Sequence, residues 1–234
     1  VLFEAQTDHQ SLIIFENSRF GHVMALDGII QTTEADEFIY HEMMVHVPMT
    51  SHVNPSRVLI IGGGDGGILR EVFKHPSVEH VTQVEIDPAV IDMCVKYFPN
   101  HSQGAFNDPR LNLVIDDGAS FVRKNTQDFD IIITDSTDPI GPGEVLFKSN
   151  FYQDCARALK DDGILVTQNG VPYMQGDEVT NTYQRWKPHF LTRKFYLTPV
   201  PTYAGGSMAM GFASKNQLAT PTLAQLKTQF RPLI

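Results

Sequence analysis

Val58-Leu-Ile-Ile-Gly-Gly-Gly-Asp-Gly-Gly67 is the stretch from which the fold can be read. An apolar, β-branched run, Val58–Ile61, breaks into glycines, and a helical pattern containing Arg70 and Glu71 follows. Gly62, Gly64 and Gly67 have the G-x-G-x-x-G spacing that lets a backbone turn tightly beneath a nucleotide. Asp65 sits inside that loop. A helix N-terminus attracts phosphate through its free N–H groups, and a carboxylate placed there repels it. The loop therefore suits an adenosine ligand carrying positive charge, which disfavours a dinucleotide oxidoreductase.

Outward from this stretch, strands and helices alternate. Val81–Glu85, Leu111–Ile115, Asp130–Thr134 and Ile164–Gln168 read as further strands. Helices are expected from Pro88 to Phe98 and over Phe151–Leu159, the latter closed by Gly163 as its C-cap, while Ala119–Asn125 separates the strands Leu111–Ile115 and Asp130–Thr134. Phe195–Pro199 and Met208–Ser214 read as two more strands at the sheet edge. This alternation implies an α/β fold, a mostly parallel sheet with helices on both faces. Upstream of it, Val1–Ala5, Ser11–Phe15, His22–Leu26 and Ile29–Thr32 read as antiparallel strands, with Asp27-Gly28 as a two-residue hairpin turn. Thr33, followed by Asp36, resembles a helix N-cap before EFIYHEMMVHV, and Pro48 and Pro55 punctuate the region after it. We place a small N-terminal β-domain with a linking helix at 1–53 and the catalytic domain at 54–234.

The chain has 234 residues, 42% hydrophobic and 19% charged, which is ordinary for a globular protein. A formal net charge of −9 argues against non-specific nucleic-acid binding, which needs a basic surface. Cys94 and Cys155 have no metal-ligand spacing and read as two reduced thiols, so no metal site is expected. No apolar run reaches the roughly 18 residues of a membrane span. With no signal-peptide pattern visible, the expectation is a cytoplasmic protein without membrane or nucleic-acid partners.

In open α/β sheets, ligands sit beyond the carboxyl ends of the strands. Four strands here lead to carboxylates: Asp65, Glu85, Asp116-Asp117, and Asp135 followed by Asp138. Glu85 lies about 20 residues past the glycine loop, where an acid accepts hydrogen bonds from ribose hydroxyls. Asp117-Gly118 follows the third strand, where an acid can accept from an adenine amino group; Asp116 competes for that role. Asp135 and Asp138 share a loop stiffened by Pro139 and Pro142, an arrangement suited to an ammonium group. Tyr40 and His41 on the N-terminal helix, with Tyr203 in a Pro-Thr-Tyr-Ala-Gly-Gly loop, can line a channel for an aliphatic cation.

These residues fall in ordered segments: TDHQSLIIFE, ALDGIIQTTEADEFIYHEM, VLIIGGGDGGILREV, VEID, DDG, TDSTDPIGPGE, TQNG and PTYAGG. In that order they resemble the polyamine aminopropyltransferases, the spermidine synthase branch most closely. The resemblance implies a β-domain joined to a Rossmann-like, methyltransferase-type domain, in a homodimer. It also implies transfer of an aminopropyl group from decarboxylated S-adenosylmethionine, a co-substrate, to putrescine, with no further cofactor. On matching positions it implies Asp135 as catalytic acid/base, supported by Tyr40. It implies Gln10, Gly62, Gly64, Glu85, Asp117, Gly118 and Pro142 around the nucleoside. Asp65 matches the acid that holds the aminopropyl amine, and Gln31, His41, Asp138, Gln168 and Tyr203 match the polyamine channel. The rival readings on this scaffold are spermine or thermospermine synthesis, N-methylation of putrescine, and a catalytically silent polyamine sensor.

Overall fold

A computed structural model of the chain describes residues 1–137, 141–218, 222–224 and 227, with the side chains of 141 and 142 left aside. Four strands, β1 (Phe3–Gln6), β2 (Ser11–Asn17), β3 (Gly21–Leu26) and β4 (Ile29–Thr33), form an antiparallel sheet in chain order. Asp27 and Gly28 turn between β3 and β4 with φ of 48° and 78°, the left-handed pair that a type I′ hairpin needs. Leu12 and Ile14 alternate inward on β2 and join Met24 and Leu26 in one buried cluster.

Helix α1 (Glu37–Ser51) follows, and it differs from expectation at both ends. Thr33 is not its cap: Thr33 closes β4, and its hydroxyl donates to Asp36 Oδ1 at 2.6 Å. Asp36 occupies the cap position without capping, because its Oδ2 accepts from the backbone and hydroxyl of Thr202. Nor does Pro48 stop the helix. The hydroxyls of Thr50 and Ser51 take the carbonyls of His46 and Val47, and Pro48 itself is buried. Tyr40, Met44, Val45 and Met49 of α1 share a core with residues of the larger sheet.

That sheet has seven strands. In chain order they are β5 (Arg57–Gly62), β6 (His80–Glu85), β7 (Leu111–Ile115), β8 (Phe129–Asp135), β9 (Leu159–Gln168), β10 (Thr192–Pro199) and β11 (Ser207–Ser214). Across the sheet the order is β10-β11-β9-β8-β5-β6-β7, with β9 to β7 parallel and the β10–β11 hairpin antiparallel. Helices α2 (Gly67–Phe73), α3 (Pro88–Tyr97), α4 (Pro99–Ser102), α5 (Gly118–Arg123), α6 (Ser149–Ala158) and α7 (Gly176–Trp186) cover its faces. Val58 and Ile60 of β5 face the core beneath α1 and α2, whereas Leu59 and Ile61 face the core beneath α5 and α6. A strand buried on both sides reads as a continuous apolar run.

Two features of the C-terminal half depart from the sequence reading. Gly163 caps no helix. α6 ends at Ala158 and β9 begins at once, with Gly163 inside β9 where its register against β8 shifts. Helix α7 has no counterpart in the sequence reading: Val179, Tyr183 and Trp186 recur on one face at i, i+4 and i+7, but only Thr182 and Trp186 are buried. Seen from the chain, β5, β6 and β7 run outward in one direction and β8 returns to the other side of β5. The order of the sheet thus reverses between β5 and β8, where open α/β sheets leave a crevice.

Candidate active site

Beyond the carboxyl ends of β5 and β8 lies a cavity of about 490 Å³. The two strands are locked there backbone to backbone. Gly62 pairs with Asp135 in register, and the Gly63 N–H donates to the Asp135 carbonyl at 3.1 Å. Gly62 has φ of 81°, and a Cβ on it would run into that carbonyl, so only glycine fits. From below, Gln83 of β6 props the loop, its amide donating to the carbonyls of Gly62 and Gly63 at 3.0 and 2.7 Å. Gly67 serves a different neighbour: a Cβ there would overlap the His41 ring. The glycine loop is shaped as much by β8 and α1 as by any ligand.

Among the described residues five carboxylates line this cavity, Asp36, Glu37, Asp65, Glu85 and Asp135, and the last three stand at or just past the ends of strands. Asp135 accepts a hydrogen bond of 2.6 Å from the Tyr40 hydroxyl. Burial, reinforced by the nearby charge of Asp65, pushes its carboxyl up to about 6. Burial likewise raises the Tyr40 phenol, with Asp135 adding to the effect, so Tyr40 is a hydrogen-bond donor and not a base. Burial pushes Glu85 up to about 7, although it accepts from the Asp87 N–H at 2.9 Å. Asp65 behaves oppositely. Burial opposes its charge, yet the His41 imidazolium, 3.2 Å away, outweighs burial and holds the carboxyl well below the usual range. The Gly67 N–H donates to its other oxygen at 2.8 Å.

The remaining residues singled out in the sequence fall into two groups. Gln10, Gln31, His41, Gly64, Gln168 and Tyr203 also line the cavity. Gln10 donates to Asp87 at 3.1 Å, which turns its carbonyl oxygen away from that carboxylate. Gln168 has its amide committed to the carbonyls of Ser136 and Thr137, so it supports the loop after β8. Tyr203 stands 6.5 Å from the Tyr40 ring and donates to the Gln31 carbonyl. Gly62, Asp117 and Gly118 do not line the cavity. Asp117 caps α5, accepting from Ser120 N at 2.6 Å, and faces a separate hollow of about 120 Å³ beside Arg123 and Lys148. Gly118 packs against Ile61. Asp138 lies outside the described residues, and Pro142 falls in a 3-10 helix, Gly141–Phe147, with its side chain outside them.

The sequence reading gave no site role to several residues that hold this arrangement: Glu37, Arg70, Gln83 and Asp87, the last read only as a helix cap, which it also is. Gln83 carried a signal, a polar side chain two positions before Glu85 and therefore on the same face of the strand. Arg70 and Glu37 carried none, being 33 residues apart.

A carboxylate-walled cavity at the switch point of a parallel sheet marks a class of α/β proteins suited to a ligand that bears positive charge. Comparison with known proteins gives the class its family. A model described as spermine/spermidine synthase domain matches residues 37–223, and one described as spermidine synthase tetramerisation domain matches residues 1–34. The chain belongs to the spermine/spermidine synthase family. It is 61% identical over 232 residues to polyamine aminopropyltransferase 1 of Pseudomonas aeruginosa, covering 99% of this chain and 81% of that one. Identity to the polyamine aminopropyltransferase of Pectobacterium carotovorum subsp. carotovorum is 58% over 226 residues, covering 97% and 77%. A crystal structure of spermidine synthase in complex with the transition state analogue AdoDATO superposes with a TM-score of 0.89 at 48% identity, covering 92% of this chain and 73% of that one. Spermidine synthase from Thermotoga maritima gives 0.85 at 46%, covering 92% and 72%. The chain is an aminopropyltransferase of polyamine biosynthesis. Among the described residues no helix is long and apolar enough to cross a membrane.

Proposed function

We propose that this enzyme makes spermidine, transferring the aminopropyl group of decarboxylated S-adenosylmethionine to putrescine and releasing 5′-methylthioadenosine. The observation that carries this reading is the meeting of Asp65 and Asp135 on one cavity, with Tyr40 bonded to Asp135. In the reaction an amine lone pair attacks the propyl carbon next to sulfur. The carbon–sulfur bond breaks, and its electron pair neutralises the sulfonium as a thioether. The sulfonium supplies its own leaving group, so the donor is a co-substrate and the scheme requires no other cofactor. Holding the amine about 3–3.5 Å from that carbon, in line with sulfur, supplies much of the rate.

The attacking amine must first lose a proton, which at pH 7 costs ~4–5 kcal/mol from an ordinary pKa of about 10.4. Asp135, raised to about 6, is a better acceptor for that proton than an exposed aspartate. In this reading Gln10 and Glu85 hold the ribose, and Asp65 holds the donor's amine. Gln31, His41, Gln168 and Tyr203 shape the acceptor's channel, with Asp138 assigned there by resemblance. Asp117, Gly118 and Pro142 keep an adenine-side role in this reading on resemblance alone.

Self-association is supported by the match of residues 1–34, and we read the assembly as a homodimer. Two buried, unpaired cysteines agree with a reducing, cytoplasmic setting. Incubation with decarboxylated S-adenosylmethionine and a panel of diamines and polyamines, followed by product mass analysis, tests the reaction. Spermidine formed from putrescine is the expected result; a methylated diamine, or turnover only with longer polyamines, would overturn it. Light scattering tests the dimer, which a tetramer would exclude.

A further inference from the structure

A polar row runs along the cavity wall from Asp65 through His41 and Glu37 and ends on Arg70 behind it. Glu37 Oε2 is hydrogen-bonded to Nδ1 of His41, one helical turn later on α1. The Nε2 of His41 faces Asp65. Glu37 also receives two guanidinium N–H groups of Arg70, at 2.9 and 3.0 Å. The other donors of Arg70 go to Glu71 and to the carbonyls of Asn100 and His101, so α1, α2 and α4 meet at one side chain. Arg70 is 7% exposed and His41 3%.

Carboxylates only accept hydrogen bonds. An imidazole between two of them must carry hydrogen on both nitrogens, and such a ring is a cation. Charge therefore alternates along the row: Arg70 positive, Glu37 negative, His41 positive, Asp65 negative. Taken with Asp65 alone, the His41 cation would repel an arriving ammonium; Glu37 compensates that charge from the far side. The other groups around His41 are His101 of α4, its ring 6.2 Å away, and the Tyr40–Asp135 pair. Gly67 leaves no room for the ring to shift toward α2.

We propose that Glu37, clamped by Arg70, is a positioning residue for the donor subsite: it fixes the His41 ring so that Asp65 is held for the donor's amine. This rests on the proposed aminopropyl transfer, in which Asp65 receives that amine. Glu37 itself stands on the cavity wall, and the role proposed for it is the one it exerts through its bond to His41.

The test uses the full chain labelled with ¹⁵N, the His41 ring signals being assigned by their loss in His41→Gln. In the unsubstituted enzyme the ring is expected to stay doubly protonated from about pH 6 to 8. Glu37→Gln should bring a neutral tautomer into that range. It should also raise the donor's KM roughly tenfold while kcat holds within about threefold, as loss of a ground-state positioning contact does. In a His41→Gln background the same change should add less than about twofold, because both act on one contact. Unchanged His41 signals in Glu37→Gln, or effects that multiply with His41→Gln, would overturn the proposal. If Glu37→Gln does not fold, Arg70→Lys keeps the charge but loses the fork; it should raise the donor's KM without moving that of putrescine, and no change would refute the clamp. The ring signals need no turnover, so failure of the transfer reading would show separately, as absence of product from an enzyme whose His41 responds as described.

Discussion

Asp135 and Asp65 are the same residue type in opposite electrostatic surroundings. Asp135 is buried and has the Asp65 charge nearby, and together these outweigh the His41 cation and the Tyr40 hydrogen bond, so its proton is held more tightly than usual. Asp65 has an imidazolium and a backbone N–H, so it stays ionised. Pairs of carboxylates pushed apart in this way mark a division of labour between proton acceptor and charge anchor. Two outcomes follow at this scale. Asp135→Asn should lower kcat by ~10²–10⁴ with binding of the donor nearly intact, the range for loss of a general base; steady-state kinetics with both substrates checks it, and near-normal turnover would remove Asp135 from that role. Asp65→Asn should erode the preference for decarboxylated over ordinary S-adenosylmethionine by roughly 10–100-fold, because the like-charge penalty on the methionine carboxylate disappears. Competition binding of the two nucleosides measures this, and an unaltered ratio would contradict it.

The glycine loop shows how an element's sequence is set by its neighbours. By intrinsic propensity an alanine at Gly67, the first residue of α2, would favour the helix by about 1 kcal/mol. Overlap with the His41 ring opposes this, and overpacking of a tight contact costs about 1–3 kcal/mol. Gly67→Ala is therefore expected to destabilise the protein in denaturant melts and to weaken donor binding. In a His41→Ala background, where the ring is gone, the same change should stabilise it. Destabilisation in both backgrounds would show that the glycine answers to something else. The G-x-G-x-x-G spacing was legible in the chain, as was the hairpin at Asp27-Gly28, since each depends on a few adjacent residues. That Gly62 answers to β8 and Gly67 to α1 was not, because those partners are 73 and 26 residues away.

For the whole molecule, the site's titrating groups oppose stability and activity to one another. Asp135 and Glu85 have raised values of about 6 and 7, against 3.8 and 4.5 ordinarily. The native state thus holds extra protons across those intervals, and their contribution to stability falls as pH rises through them. His41, raised from 6.5 to about 10 by Asp65 and Glu37 against the pull of burial, contributes fully below 6.5 and loses that contribution as pH climbs through 10. Asp65, Glu37 and Glu71 are lowered, so their contributions are lost only in stronger acid. The unliganded enzyme is expected to have its highest Tm on the acid side of neutrality. Turnover, needing Asp135 and Glu85 ionised, should rise toward the alkaline side. Melting and rate profiles over the same buffers test both, and Asp135→Asn should flatten the fall in Tm between about pH 4 and 6. A Tm maximum coinciding with the rate maximum would refute the assignment.

The sequence by itself determined the alternation of strands and helices, the two-part organisation and the carboxylates at strand ends, because periodicity and turn chemistry are local properties. It also carried, through ordered segments, the resemblance that the family comparison bears out. Tertiary structure alone decided which acids share the cavity. Asp117 follows β7 and Asp135 ends β8, yet the first is spent as a helix cap and the second is raised and bonded to Tyr40. It also decided that α7 is a helix, that Pro48 stays within α1, and that Arg70, Glu37, His41 and Asp65 form one row. Those outcomes depend on burial and on contacts between segments far apart in the chain, which no local pattern of residues encodes.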